Sequence, residues 1–191
     1  MLYRRKQAPR RDLADAVRTY TDPLQHALIA AAVTAPLVPR AGRGVLGTAV
    51  AVSTVIDVDH IVAARSPRVR DTTSLAERPQ SHSVLAAAVT GATVTVVAGP
   101  WHGWAAFAGL VSHLLHDAGD RAAPTPLLWP FAPARQIGRR RQLAGTVLLT
   151  TASAAISYAA AAASARERAP DPADAHDGPA GASRQTTPSR S

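Results

Sequence analysis

Apolar residues along this chain fall into five runs, and segments rich in arginine, glycine or proline separate the runs. The runs cover residues 24–38, 45–64, 81–100, 105–118 and 143–163. A helix needs about 20 apolar residues to cross a bilayer, so the first run is short, whereas the second and fifth are long enough. The pattern predicts an all-α fold: a polytopic membrane helix bundle with about five transmembrane helices.

The segments outside the runs divide the chain into three parts. Residues 1–23 are a basic N-terminal segment, in which residues 12–20 predict a short amphipathic helix lying on the membrane surface. Residues 24–164 are the membrane-embedded helical domain. Residues 165–191 are rich in Ala, Asp, Pro and Ser without hydrophobic periodicity, so we expect a disordered C-terminal tail.

Two local signals refine the middle of the chain. Ser81 has the residue type of an N-cap for the third helix. The sequence Trp101-His102-Gly103-Trp104 is typical of a tight aromatic turn at a membrane interface. We assign no function to His102, and none to His176 in the tail.

Composition narrows the classes of function. Hydrophobic residues make up 47% of the chain and aromatic residues only 4%, as expected for membrane helices packed through small side chains. The absence of cysteine excludes disulfides, thiolate ligands and cysteine nucleophiles, so any metal must be bound by His and carboxylate groups. The net charge of +8 comes mainly from arginines between the runs, which favours a topology signal over a nucleic-acid partner.

Arginine distribution predicts the orientation in the cell (inner or plasma) membrane. The N-terminal segment and the loops at 65–80 and 120–142 are rich in arginine, whereas the turn at 100–104 has none. Because cytosolic loops carry the excess of positive charge, we expect a cytosolic N-terminus and, with five spans, an external tail.

Histidine and aspartate recur at one border of the apolar runs. His113 and Asp117 are four residues apart and share a helix face, where an imidazole and a carboxylate can bind one metal ion. His26, Asp57-Val58-Asp59-His60 and His82 lie at corresponding borders, all on the predicted cytosolic side. A single histidine at a helix end is usually solvated or hydrogen-bonded. Recurrence at four helix ends instead favours a metal site.

The pair Asp57 and Asp59 leaves two arrangements open. The two side chains do not share a face of a regular helix. Either the helix unwinds near Val58 so that both reach one site, or one aspartate orients a ligating histidine from behind.

Five sequence elements, taken in order, resemble the YdjM-like family of membrane-bound metal-dependent hydrolases. They are Thr21 to His26, Asp57 to His60, Glu77-Arg78 with Ser81-His82-Ser83, His113 to Asp117, and Leu127 to Phe131. The resemblance covers about residues 20–132. Glu77 stands where the family has His, and Ser81 where it has Thr. The family's relation to zinc-dependent phospholipase C and single-strand nuclease folds implies a helical fold, several zinc ions and phosphoester chemistry.

On this resemblance we expect a hydrolase that binds a divalent metal, and we expect that metal to be Zn²⁺. The metal ligands expected are His26, Asp59, His82, His113 and Asp117, with Asp57, His60 and His116 as further ligands or orienting groups. Arg78 would steady an anionic phosphate, and Glu77 could ligate or act as a base. The expected substrate is a lipid or lipid-linked phosphoester at the bilayer surface. Two alternatives stay open: a small ion or proton transporter, and a non-catalytic membrane protein with a structural metal.

Overall fold

The computed structural model describes residues 13–72, 75–119 and 123–168, and this part of the chain is helical. The α-helices are α1 (Leu13–Thr34), α2 (Val38–Ala41), α3 (Gly44–Val55), α4 (Val58–Ala64), α5 (Val69–Thr72), α6 (Val84–Ala98), α7 (Pro100–Gly119) and α8 (Arg139–Glu167). A 3-10 turn, Ala35–Leu37, joins α1 to α2. The described residues contain no strand, and Thr125 and Arg135 form an isolated bridge. The predicted all-α class is confirmed for them.

Two helical stretches are long and apolar enough to cross a membrane, Gly44–Ala64 and Arg139–Glu167. The apolar helix α6 has 15 residues and therefore rises about 22 Å, less than the ~30 Å of a hydrocarbon core. Helix α7 contains three histidines and one aspartate, which lower its mean hydropathy, and it is not one of the two candidate spans. Length and composition thus support two of the five predicted spans.

The helix α7 is the centre of the bundle. It packs against α1, α3, α6 and α8. Near its beginning Ala105 joins a buried cluster with Val45 and Ala49 of α3. Further along, Leu110 and Leu114 pack against Ala87 of α6. Because α7 is surrounded along its length, polar side chains in its last two turns lie inside the protein.

The turn between α6 and α7 lies at Gly99, whose φ of 88° favours glycine. The predicted aromatic turn over 101–104 is therefore wrong: these residues form the first turn of α7. Close packing explains the placement of Gly103, since a Cβ there would come within 1.7 Å of Thr95 Oγ1 and 2.8 Å of the Gly91 carbonyl. The two helices approach through small residues, as membrane helices commonly do.

Three further predictions change in detail. The helix expected at 12–20 is not separate, because α1 runs without interruption from Leu13 to Thr34. The N-cap of α6 is Ser83, which accepts a hydrogen bond from the Ala86 amide at 3.2 Å, and not Ser81. The last helix continues three residues past 164 to Glu167. The rest of the predicted tail, residues 169–191, and the segment 1–12 lie outside the described residues.

The loop between α7 and α8 is fastened to the chain on both sides of His82. The Pro124 carbonyl accepts a hydrogen bond from the Arg78 amide at 3.1 Å, and the Leu127 carbonyl accepts one from the Val84 amide at 2.9 Å. The Ile137 amide donates to the carbonyl of Ala118 at 2.9 Å. The loop therefore holds the segment that carries His82 against the end of α7.

Candidate metal centre

A break in the second apolar run positions two aspartates. The helix is interrupted at Ile56 and Asp57, between α3 and α4. Here the Asp59 amide donates to the Ile56 carbonyl and the His60 amide donates to the Asp57 carbonyl, each at 3.1 Å, so the backbone tightens from four-residue to three-residue hydrogen bonds. This change turns both aspartates towards the same group of histidines.

Four side chains converge from three parts of the chain, and we call them the central quartet: Asp57, His82, His113 and Asp117. The Nε2 atoms of His82 and His113 lie 3.3 Å apart. From His113 Nε2, Asp57 Oδ1 is at 3.4 Å and Asp117 Oδ2 at 3.2 Å. From His82 Nε2, the same two oxygens are at 3.7 Å and 3.4 Å.

These separations match the spacing of donors around one small cation. Zinc ligands lie about 2.0–2.2 Å from the ion, so neighbouring donors in a tetrahedral site are about 3.3–3.6 Å apart. The five measured separations span 3.2 to 3.7 Å. Two imidazole nitrogens and two carboxylate oxygens thus occupy positions suited to binding a divalent metal.

Several of the polar atoms here are buried without a hydrogen bond. Asp117 is fully buried, and among the described residues neither of its carboxylate oxygens has a hydrogen-bond partner. The Arg78 guanidinium lies 3.0 Å from Asp117 Oδ1 and supplies one positive charge. His26, 1% exposed, lacks a hydrogen bond at both ring nitrogens. Buried polar atoms normally have partners, so this concentration of unpaired donors and acceptors fits a bound cation.

Asp59 lies behind His82. Its Oδ2 is 3.2 Å from His82 Nδ1, and it also accepts a hydrogen bond from the Ser81 hydroxyl. Burial alone would lower the pKa of the His82 imidazole, but hydrogen bonds to Asp57 and Asp59 and the charge of Asp117 raise this pKa to about 9. With Nδ1 held by Asp59, the opposite nitrogen, Nε2, faces the quartet. A metal ion there would have to displace its proton.

Further His and Asp side chains extend the quartet on two sides. On one side, His60 Nε2 lies 3.8 Å from Asp59 Oδ1, and the His60 ring lies 4.9 Å from that of His82. On the other side, the His26 ring stacks on His113 at 3.8 Å. Four groups of three could each hold an ion: Asp22, His26 and His116; His26, His113 and Asp117; Asp57, His82 and His113; Asp59, His60 and His82.

The five expected ligands and the three further ligands or orienting groups thus lie in one connected cluster. Of the two predicted catalytic residues, Arg78 contacts that cluster through Asp117. Glu77 is exposed and belongs to none of the four groups among the described residues. His102 lies in the first turn of α7, where its Nδ1 is 2.7 Å from the Thr48 hydroxyl.

Three contributors were missed or misassigned from the sequence. Asp22 precedes His26 by four residues, the same spacing that singled out His113 and Asp117, and this signal was available. The residue type of Ser81 predicts an N-cap, but its hydroxyl instead donates a hydrogen bond to Asp59. Gln142 of α8, whose amide lies 3.1 Å from His116 Nδ1, carries no local signal because only the tertiary fold brings it there.

Comparison with known proteins gives one match. The family described as YdjM inner membrane protein matches residues 22–173. This range extends beyond the 20–132 on which the resemblance was first based, and it includes α8. No curated protein and no solved structure matches the chain.

Proposed function

We propose, since the chain belongs to the YdjM inner membrane protein family, that it is a membrane-bound, metal-dependent hydrolase of phosphoesters. One observation carries the proposal: inside a helical bundle, two imidazole nitrogens lie 3.3 Å apart, and each lies 3.2 to 3.7 Å from a carboxylate oxygen of Asp57 and one of Asp117. Those donors would hold the ion, with zinc favoured by the mixture of imidazole and carboxylate. A divalent ion at this position supplies Lewis-acid activation of water and of a phosphoester.

The residues around the quartet have separate tasks in this proposal. Asp59 fixes the ring orientation of His82, as carboxylates commonly do behind ligating histidines. Arg78 neutralises part of the charge on Asp117 and lies close enough to contact an anionic phosphate group. Glu77 is exposed. It can act as a base only if the substrate reacts at the outer edge of the site.

An open side distinguishes a catalytic site from a closed one. His82, His113 and Asp117 are completely buried, but the Asp57 side chain is 32% exposed. Asp59 and His60 lie beside it and are partly exposed as well. Water and substrate would therefore enter from the side of Asp57.

Membrane insertion agrees with the apolar surface. In α6, Val96 is 88% exposed and Val97 is 81% exposed, and only 6% of the apolar window of α8 is buried inside the protein. Contiguous exposed apolar surface is unfavourable in water and favourable against lipid. We extend this to five spans formed by α1, by α3 with α4, and by α6, α7 and α8.

The site is proposed to lie at the cytosolic surface. Gln142 contacts His116 and directly follows Arg139, Arg140 and Arg141, so this arginine cluster lies at the end of the bundle that carries the site. Cytosolic ends carry such clusters. Phe131, 88% exposed, projects from the loop fastened beside His82 and could enter the lipid interface. A lipid or lipid-linked phosphoester is therefore the proposed substrate class.

Reporter fusions test the orientation. A reporter within residues 65–80 and one after residue 164 should report opposite sides of the membrane. Reporters on the same side would show that the number of spans is wrong, and the short first run would be the first to be reconsidered.

Metal content and activity on the purified full-length protein test the function itself. We expect the wild type to retain a divalent metal and to hydrolyse phosphatidic acid or phosphatidylglycerol in mixed micelles, with chelation abolishing hydrolysis and Zn²⁺ restoring it. His113→Ala and Asp117→Ala should lose metal and activity while still inserting into membranes. His102→Ala and His176→Ala are the matched histidine controls. Full metal content in both ligand variants would refute the proposal.

A structural metal is the second candidate, because three members of the quartet are completely buried. Three results together would favour this candidate: the metal binds at full occupancy, the metal-loaded protein hydrolyses neither lipid, and chelation lowers the stability of the protein.

A further inference from the structure

A second group of ligating atoms lies beside the central quartet, on the side of α1. It consists of Asp22 and His26 from α1 and His116 from α7. His26 Nε2 is 3.6 Å from Asp22 Oδ2, and His116 Nε2 is 3.5 Å from Asp22 Oδ1. One ligand atom from each residue lies within 4.8 Å of the others.

His26 is the unexplained member of the site. It is 1% exposed, and both of its ring nitrogens lack a hydrogen bond among the described residues. The central quartet already has four donors without it. A buried imidazole without a hydrogen bond is unfavourable, and a cation between His26 and Asp22 would use its lone pair.

His116 is held in position from behind. The Gln142 side-chain amide donates an N–H to His116 Nδ1 at 3.1 Å, so the opposite ring nitrogen, Nε2, carries the ring proton and faces Asp22, and a metal ion there would displace that proton. The two rings, His26 and His116, meet edge to face with centroids 4.7 Å apart. Helix α8 thereby contributes to the site although it supplies no ligand.

We infer that Asp22, His26 and His116 form a second metal site that binds an imidazole-favouring divalent transition ion of the Zn²⁺, Mn²⁺ or Co²⁺ class. Two imidazoles and one carboxylate are a donor set for such ions and not for Ca²⁺ or Mg²⁺, which take oxygen ligands. The Asp22 side chain is 39% exposed, so the site opens to solvent and leaves coordination positions for water or substrate. This inference rests on the proposed function and deepens it, because the His26 ring stacks on His113 and the two sites adjoin.

The adjoining position suggests what the second ion does. His26 Nε2 lies 3.5 Å from Asp117 Oδ1, while Asp117 Oδ2 belongs to the central quartet. The Asp117 carboxylate therefore lies between the two sites. Two ions placed on either side of one carboxylate suit a substrate that brings a negatively charged phosphate to both.

Metal stoichiometry tests this site. The full-length protein in detergent is loaded with Zn²⁺, freed of excess by gel filtration, and analysed by mass spectrometry. We expect two equivalents in the wild type and one in Asp22→Asn and in His116→Ala. Gln142→Ala should keep both sites but weaken one by about 10–100-fold. Glu167→Gln, which removes an exposed carboxylate at the end of α8, is the matched charge control and should hold two.

The outcomes separate this inference from the proposed function. One equivalent of Zn²⁺ in both the wild type and Asp22→Asn would mean that Asp22 and His116 form an ion pair only. This result would overturn the second site and leave the central one intact. No metal in the wild type would overturn both. The metal stoichiometry of the wild type tests the second site even if a variant fails to fold.

Discussion

The two ends of α7 carry histidines of very different character. At the beginning, His102 pairs with the Thr48 hydroxyl at 2.7 Å, and Trp104 donates its indole N–H to the Ser153 hydroxyl at 3.0 Å. At the end, His113 faces two carboxylates and a second imidazole, and its Nδ1 lacks a hydrogen-bond partner among the described residues. His102 and His113 are about 16 Å apart along one helix.

The difference shows how to separate a satisfied histidine from a ligand. A hydroxyl can complement one imidazole nitrogen, so His102 needs nothing else on that side. At the other end Asp117 is completely buried, and a completely buried carboxylate is expensive unless positive charge compensates it. Substitutions at one end of α7 can therefore be compared with substitutions at the other.

Chelation should give the largest effect. Removing the metal from the wild type should lower its free energy of unfolding by about 2.7 kcal/mol when the metal was present at 100 times its Kd. The same treatment should shift Asp117→Ala less, because that variant has already lost the ion of the central quartet. Thermal unfolding in detergent, followed by circular dichroism with and without chelator, makes the measurement. Equal shifts in the two proteins would show that the chelator acts elsewhere.

Asp59→Asn should weaken metal binding at the central quartet by about 10–100-fold without abolishing it. The asparagine side chain keeps the size of Asp59 but loses the charge that positions His82 Nδ1. A competition titration with a fluorescent zinc chelator measures the change. An effect as large as that of Asp117→Ala would instead make Asp59 a direct ligand.

Thr48→Val should reduce stability by about 1 kcal/mol, since it removes the hydroxyl paired with His102 and leaves an imidazole nitrogen without a partner. Metal content should stay at the wild-type value, because the substitution lies at the far end of α7. Denaturation and metal analysis of one preparation test both statements. A loss of metal here would contradict the separation of the two ends.

Glu77→Ala should have the smallest effect on binding and stability. Glu77 is exposed and in none of the four ligating groups of the described residues, and such surface changes usually alter stability by less than about 0.5 kcal/mol. Metal analysis checks the first expectation, and the lipid hydrolysis assay then isolates a catalytic role. Loss of hydrolysis with metal intact would make Glu77 a participant in the reaction.

Much of the site was predictable because the relevant spacings are short. A separation of four residues places His113 and Asp117 on one helix face whatever surrounds them, and the same rule applies to Asp22 and His26. The all-α class likewise followed from the apolar runs. The turn at Gly99 was misplaced by a few residues because the aromatic residues 101–104 suit both a helix and an interface.

Side-chain type and local spacing establish which residues can bind a metal and which helix faces carry them. The packing of the helices sets the role that each of these residues takes. The break at Ile56 and Asp57 sets Asp57 at Nε2 of His82 and Asp59 at its Nδ1. The structure thus combines the two arrangements that the sequence leaves open: the helix is interrupted, and one aspartate lies behind a histidine. The approach of Gln142 to His116 likewise depends on how α8 packs against α7. Distances between atoms far apart in the chain depend on packing, which no local pattern encodes.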